Sequence, residues 1–436
     1  MRKERQNMDE KRIGYANESF YYGFSGEQST IIRTEVTLSQ EVIPDILHEA
    51  LLLTLKRYPN FRRTLAVKDN NIFYRYNEKE PVMGPEDGRQ YCLGTSEVNG
   101  YLFRLVYDEN RVSLCGHHGL TDGKGMFEFT KTLLYYYLTG LGENIAVQGR
   151  VLTNEEAGDE TELEYSFEKY ADPQAVPMGI YKNNGAFRVP ETLYQEEEAY
   201  CRRFRVDCSA KELLKLAKRY GVTPVPVLSI LISQVFHRLY EVGDKEIIGY
   251  IPVNLRPYYH SRALNNFSLA VALPYHAAIR DRDWEFQATI QRGILDLQTQ
   301  KENFDYRLAQ MCISGEQIER LPLPAAGKQA ALIKKIKENS REKYTYLISY
   351  VGIMDFPEDM KAFVRDIELF IPSFIIPFTM CVNALEDKLT ITCTQNFDSD
   401  KVAKGMYDLL REQGITAEYE DLGYIKPDKL LLGLLD

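Results

Sequence analysis

The chain has 436 residues, a length that points to two domains rather than a single core. Its formal net charge of -10 opposes generic binding to phosphate backbones, and no Lys/Arg tract reverses that locally, so no nucleic-acid partner is expected. Seven cysteines, an odd number without any C-x-x-C, indicate neither a disulfide framework nor a metal site and fit a reducing, cytoplasmic setting.

The N-terminus, Met1-Arg2-Lys3-Glu4-Arg5, is charged and has no apolar stretch of a secretory signal behind it. Residues 30–38 (Thr30-Ile31-Ile32-Arg33-Thr34-Glu35-Val36-Thr37-Leu38) predict a β-branched strand. Ser39 is the expected cap of the next helix, whose apolar stripe is Ile43, Ile46, Leu47, Ala50 and Leu51 and which stops at Pro59. Residues 102–107 and 111–116 predict two short strands around Asp108-Glu109-Asn110, hairpin fashion. A helix then begins at Asp122, with Met126, Phe129, Leu133, Leu134 and Tyr137 on its apolar face and Gly140 as its left-handed stop. The acidic stretch 152–172 predicts a solvated connector.

A second globular half follows near Tyr200. Ser209-Ala210-Lys211-Glu212 is a capping box for a helix ending at Gly221, with another helix over 223–240 and a strand over 246–253. The pair resembles a helix-turn-helix only superficially, because the second helix is apolar on most of its surface and leaves no basic face for a groove. One long helix is expected from Asp283 to about Gln310, then strands over 344–353 and within 370–394. Phe370 to Val382 is the most apolar stretch, but Pro372 and Pro377 interrupt it, so no membrane span is expected. The apolar end, Leu430 to Leu435, is expected to dock on the second half. Alternation of helices and strands in both halves makes the protein α/β or α+β.

The most specific segment is His117-His118-Gly119-Leu120-Thr121-Asp122-Gly123. Consecutive strand residues point to opposite faces, so the two histidines cannot share a substrate or a metal, and one at most is a working base. The same parity puts Cys115 with His117, which disfavours a Cys-His dyad using His118. Asp122 is read as structural, a cap or the partner of a buried arginine, over the alternative of orienting an imidazole. Gly123 suits a tight turn or a close backbone approach. The remaining histidines, His48, His237, His260 and His276, are read as packing or surface residues.

This segment resembles the HHxxxDG motif of the thioester-dependent acyltransferases, which include chloramphenicol acetyltransferase, the plant BAHD enzymes, alcohol acetyltransferases and condensation domains. Other segments agree in order: 55–62 (LKRYPNFR), 216–223 (LAKRYGVT), Pro252-Val253-Asn254-Leu255-Arg256 with Asn265-Asn266-Phe267, and Ser349-Tyr350-Val351-Gly352. Asn265 stands where the family has glycine, Tyr350 where it has asparagine, and the plant DFGWG signature is missing.

The resemblance implies α+β two-layer sandwiches: two chloramphenicol acetyltransferase-like domains, 1–175 and 199–436, joined by a linker over 176–198 and enclosing a channel. It implies that His118 is the general base, that Asp122 pairs with Arg256, and that Ser349 is an oxyanion donor. His117, Gly123 and Asn266 would be structural at the site. The expected activity is transfer of an acyl group, acetyl first, from acyl-CoA as cosubstrate to an alcohol, with N-acyl transfer as a variant and no metal or permanently bound cofactor. Two alternatives stand beside it: a condensation-like enzyme whose acyl donor sits on a carrier protein, and a catalytically silent binding protein of the same fold. No G-x-S-x-G, Walker loop or G-x-G-x-x-G competes.

Overall fold

The computed structural model of the chain describes residues 11–26, 29–147, 149–156, 158–182, 185–193, 201–341, 343–373 and 376–432. The expectations for Met1–Arg5 and for the last residues, 433–436, fall outside them.

Among the described residues the protein is a mixed α/β structure built on two principal sheets. The first has five strands in the order Val364–Phe370, Ile31–Leu38, Arg111–His117, Phe103–Asp108 and Met83–Pro85. The second has seven: Ser268–Tyr275, Ile247–Asn254, Tyr346–Ile353, Phe378–Leu385, Lys388–Gln395, Cys201–Ser209 and Ala417–Ile425. Helices Pro44–Arg57 and Gly123–Gly140 pack together over the first sheet, burying Leu47, Leu51, Phe129 and Leu133. Helices Pro224–Leu239 and Lys401–Glu412 do the same for the second, with Leu228, Ile232, Val402 and Met406 inside. The two cores are separate clusters of buried apolar side chains.

The second half lends a strand to the first. Strand Val364–Phe370 lies late in the chain yet pairs antiparallel with Ile31–Leu38 in the first sheet. Buried charges tie this seam: Arg203 of the second sheet bonds Glu368 at 3.0 Å and Glu35 at 2.6 Å. Burial opposes the charge on Glu35, but Arg203 and Arg33 outweigh it and hold the carboxylate down at about 2. Cutting either partner would strand an uncompensated buried charge.

Several local expectations need correction. Ser39 does not cap helix Pro44–Arg57: its N–H bonds the Phe363 carbonyl and that of Val42 the Glu109 carbonyl, Ile43 is extended, and Pro44 opens the helix where no donor is needed. Gly142, not Gly140, takes the left-handed conformation (φ 92°) after the motif helix. The acidic stretch is solvated over 154–156 and 158–160 but docked beyond them. Glu162 is buried in a bidentate pair with Arg57 (2.7 and 2.9 Å), and Phe167 is fully buried. Acidity marked exposure at Glu155, Glu156, Asp159 and Glu160 and ion pairing at Glu162.

In the second half, Ser209 accepts from the Glu212 N–H at 3.2 Å, but the Glu212 carboxylate goes to the Thr416 N–H, so only half of the capping box forms. The long helix divides into Trp284–Gln298 and Lys301–Glu319, because the buried Asn303 amide takes the Leu297 carbonyl (2.7 Å) while Gln300 stays extended. The chain end docks on the first half: Lys429–Leu430 pairs with Cys92–Leu93, Asp428 bonds Arg104 at 2.6 Å, and Leu430 and Leu432 join the first core.

Candidate active site

Strand Arg111–His117 ends at the motif, and its last residue is locked. His117 is fully buried. The Gly119 N–H donates to its Nδ1 (3.0 Å), so Nε2 carries the hydrogen and donates to the Phe24 carbonyl (2.7 Å). Tyr21 stacks on the ring at 5.1 Å and 14°. A Cβ on Gly119 would strike that tyrosine ring, so glycine here reflects close approach rather than backbone freedom. Burial lowers the His117 pKa to about 4, against the Phe24 hydrogen bond, which raises it.

His118 differs in every one of these respects. It is half-buried and lines a cavity of about 260 Å³ between the halves. Its backbone N–H donates to the Thr30 carbonyl (2.9 Å), which fixes the residue but not the ring. Nδ1 is enclosed and, among the described residues, bonds nothing beyond its own backbone, so Nε2 is the nitrogen left to meet a substrate. Burial lowers the pKa, while a hydrogen bond to its own backbone and the Asp122 charge raise it; burial prevails, and the ring is neutral at pH 7. A neutral imidazole with one free nitrogen in a cavity is equipped to accept a proton.

Asp122 caps the motif helix, accepting from the Gly125 N–H at 3.1 Å. Its Oδ2 accepts from Arg256 Nη1 (2.8 Å) and from the Phe267 N–H (2.9 Å). Burial pushes its pKa up, but Arg256 and these N–H donors overcome that and hold it below the usual value. Arg256 also bonds the carbonyls of Ala263 (2.6 Å) and Asn265 (2.9 Å), so the pair ties the motif to the 254–267 segment of the second half. Asn265 extends the tie through Arg63, Leu163 and Glu164. Asn266 is buried beside it, accepting from the Ser268 hydroxyl at 3.0 Å.

Gly123 needs correction. It has no left-handed φ, and a Cβ there would make only ordinary contacts with Leu369 and Val351 near 3.7 Å, facing the cavity. The close approach belongs to Gly125, where a Cβ would collide with the Thr121 hydroxyl and the Leu264 carbonyl.

The opposite wall comes from two parallel strands that part company. Ile247–Asn254 and Tyr346–Ile353 are paired only at Gly249↔Tyr346 and Tyr250↔Leu347. Beyond that point Pro252 and Asn254 on one strand, and Ser349, Tyr350 and Val351 on the other, line the cavity. Pro252 has no N–H to offer a ladder. A register shift at Tyr350/Gly352, with Gly352 at φ 86°, lets consecutive residues 349–351 face one space.

Cys115 is buried in a separate cluster with Ile31, Leu93 and Val98, and burial raises its thiol to about 12. His48, His237, His260 and His276 do not line the cavity. Sequence reasoning missed helix Tyr15–Gly23, which carries Phe20 and Tyr21 onto the two histidines; the aromatic run 20–24 (FYYGF) was the available signal. No group of three or more His, Cys, Asp or Glu side chains among the described residues is arranged to hold a metal ion. No single described helix is long and apolar enough to cross a membrane.

No protein-family description and no curated protein matches the sequence. Solved structures do. TRI101 of F. sporotrichioides, complexed with coenzyme A and T-2, superposes with a TM-score of 0.59 at 12% identity over 94% of this chain and 99% of its own. TRI3 trichothecene 15-O-acetyltransferase from Fusarium sporotrichioides gives 0.58 at 13% identity, covering 92% and 94%. The starter condensation domain of rhizomide synthetase RzmA gives 0.52 at 10%, covering 92% and 96%. The chain has the two-domain fold of chloramphenicol acetyltransferase-like and condensation-domain proteins. Within that fold, the cavity between the halves is where His118 lies.

Proposed function

We propose that the protein is an acyltransferase that moves an acyl group from a CoA thioester to an alcohol, with His118 as general base. The observation that carries this reading is the His118 ring, half-buried at the cavity with no hydrogen bond to Nε2 among the described residues, while its neighbour His117 has both nitrogens occupied. The two units, 1–175 and 199–436, would meet at this cavity, with strand Val364–Phe370 of the second added to the first sheet.

Nε2 takes the hydroxyl proton as the new C–O bond forms, and the thioester carbon becomes tetrahedral. The Ser349 hydroxyl, which lines the same cavity, would donate to the oxyanion. Collapse breaks the C–S bond, and the departing thiolate recovers the proton from the imidazolium. A thiol with a pKa near 8.5 leaves readily, so no covalent enzyme intermediate is needed. General-base help of this kind is typically worth roughly 10²–10⁴ in rate. Asp122, spent on Arg256 and two backbone N–H groups, holds the motif in place and touches no substrate. The apolar walls (Phe20, Phe24, Ile32, Leu369, Ile371) favour an uncharged, apolar acceptor or acyl chain.

A coenzyme A complex among the structural relatives favours a CoA donor, whereas the likeness to a condensation domain favours an acyl group on a carrier protein. A thiol-release assay decides between them. Acetyl-, medium- and long-chain CoA esters are offered with a panel of alcohols and amines, against the same acyl groups on a carrier protein. Release with CoA esters and an alcohol is the expected result. Tight ligand binding without thiol release from either donor would instead mark a binding protein of this fold.

A further inference from the structure

We infer that Phe20 is a positioning residue for His118: its ring, delivered by the N-terminal helix, holds the imidazole in place and keeps water off it. The inference rests on the reading of His118 as the base and adds a residue to that site.

Three observations converge. The imidazole has no partner on another residue to orient it: among the described residues Nδ1 bonds no other group, and only the residue's own backbone is in reach. A bond within its own residue leaves the ring to be held by packing rather than by a separate partner. The Phe20 ring supplies that packing, stacked on His118 at 5.5 Å and 23°, and is itself backed by Phe24 at 5.3 Å. Finally, the helix is anchored where such a duty requires it. Its end bonds the neighbouring histidine through the Phe24 carbonyl (2.7 Å), and Tyr21 stacks on that histidine. Helix Tyr15–Gly23 packs in turn on Lys301–Glu319 and Ala325–Arg341, and Tyr21 bonds Tyr74 at 2.7 Å. Consecutive residues of one helix thus face consecutive histidines of one strand end.

Phe20 also lines the cavity, so a residue that merely shapes a substrate wall is the competing account. The two differ in what they do to the imidazole when no substrate is present. The groups that bear on the ring are Asp122, which favours its protonated form, and His117, buried and neutral behind it. Lys124, Arg256, Tyr250 and Tyr350 line the same cavity. Substitution at Phe20 alters none of them. Burial is the largest influence on the ring, so opening its covered face to water should ease its protonation.

The test is the pH dependence of His118 carbethoxylation by diethyl pyrocarbonate in the full-length protein, with His118→Ala as the blank for other histidines. This readout needs no acyl transfer. In Phe20→Ala the midpoint is expected to rise toward the ordinary histidine value of 6.5, and kcat for thiol release to fall roughly 10²-fold, the cost of a misplaced base. Phe20→Leu, which keeps apolar cover, is expected to hold the midpoint near wild type. A midpoint that stays in place or falls in a folded Phe20→Ala overturns the inference, as does a drop confined to KM. Absence of thiol release in wild type, with the midpoint still moved by Phe20, would sink the acyltransferase reading and leave the positioning role standing.

Discussion

The two walls of the cavity are built on opposite plans. On the first-half side, the strand ladder runs unbroken to His117, and nearly every polar group next to His118 is committed: His117 to Phe24 and Gly119, Asp122 to Arg256, Phe267 and Gly125. On the second-half side, the ladder between Ile247–Asn254 and Tyr346–Ile353 stops after two pairs, and a bulge and a proline mark the opening. Rigid placement suits a group that must meet a reacting atom within tenths of an ångström, and a parted ladder leaves room for a substrate. On the proposed reading the base stands on the first wall, and the second opens the space for a substrate and contributes Ser349.

Substitutions on the two walls should therefore differ in kind. His118→Ala is expected to reduce thiol release about a thousandfold without changing the urea midpoint. Retained turnover in a folded variant would dissolve the contrast. Asp122→Ala should cost about 3–5 kcal/mol in urea unfolding, because it leaves Arg256 without its counter-charge. Normal stability would mean the pair does not tie the halves. On the open wall, Ser349→Ala should cost about tenfold in kcat, the scale of one neutral hydrogen bond, with no change in stability. A loss as large as that of His118→Ala would move the chemistry across the cavity.

Acidity sharpens the contrast further. The neutral form of His118 is the active one and its pKa is lowered, so kcat/KM should be flat from pH 6.5 upward and fall only below it. An acid limb centred above 6.5 would contradict a buried base. His117 takes up its proton more readily unfolded than folded, so it should drain stability as pH falls from 6.5 toward about 4. Asp122 runs the other way in origin: its depressed pKa contributes stability that is complete above 3.8 and lost only below it. Urea midpoints measured across that range separate the two contributions.

Much of this was legible in the sequence because it is local. The hairpin at Asp108–Arg111, the Asp122 cap, the Ser209 cap and the helix stop at Gly221 each depend on a few neighbouring residues. The failures are non-local. Acidic residues at 152–172 look solvated until Arg57, more than a hundred positions away, buries Glu162. Helix Tyr15–Gly23 has a weak pattern because it is covered on several sides at once. The apolar end of the chain was bound to dock, but which half received it turned on Arg104 and a two-residue strand.

The order of residues alone determined that one histidine of the pair would be turned away from its neighbour and that an aspartate would open the following helix, since strand parity and capping act over a few bonds. Only the folded chain decided which ring would be sealed, that Phe20 would lie on the other, and that two strands would separate to make a cavity. Those outcomes depend on contacts between segments far apart in sequence, and no short-range preference encodes them.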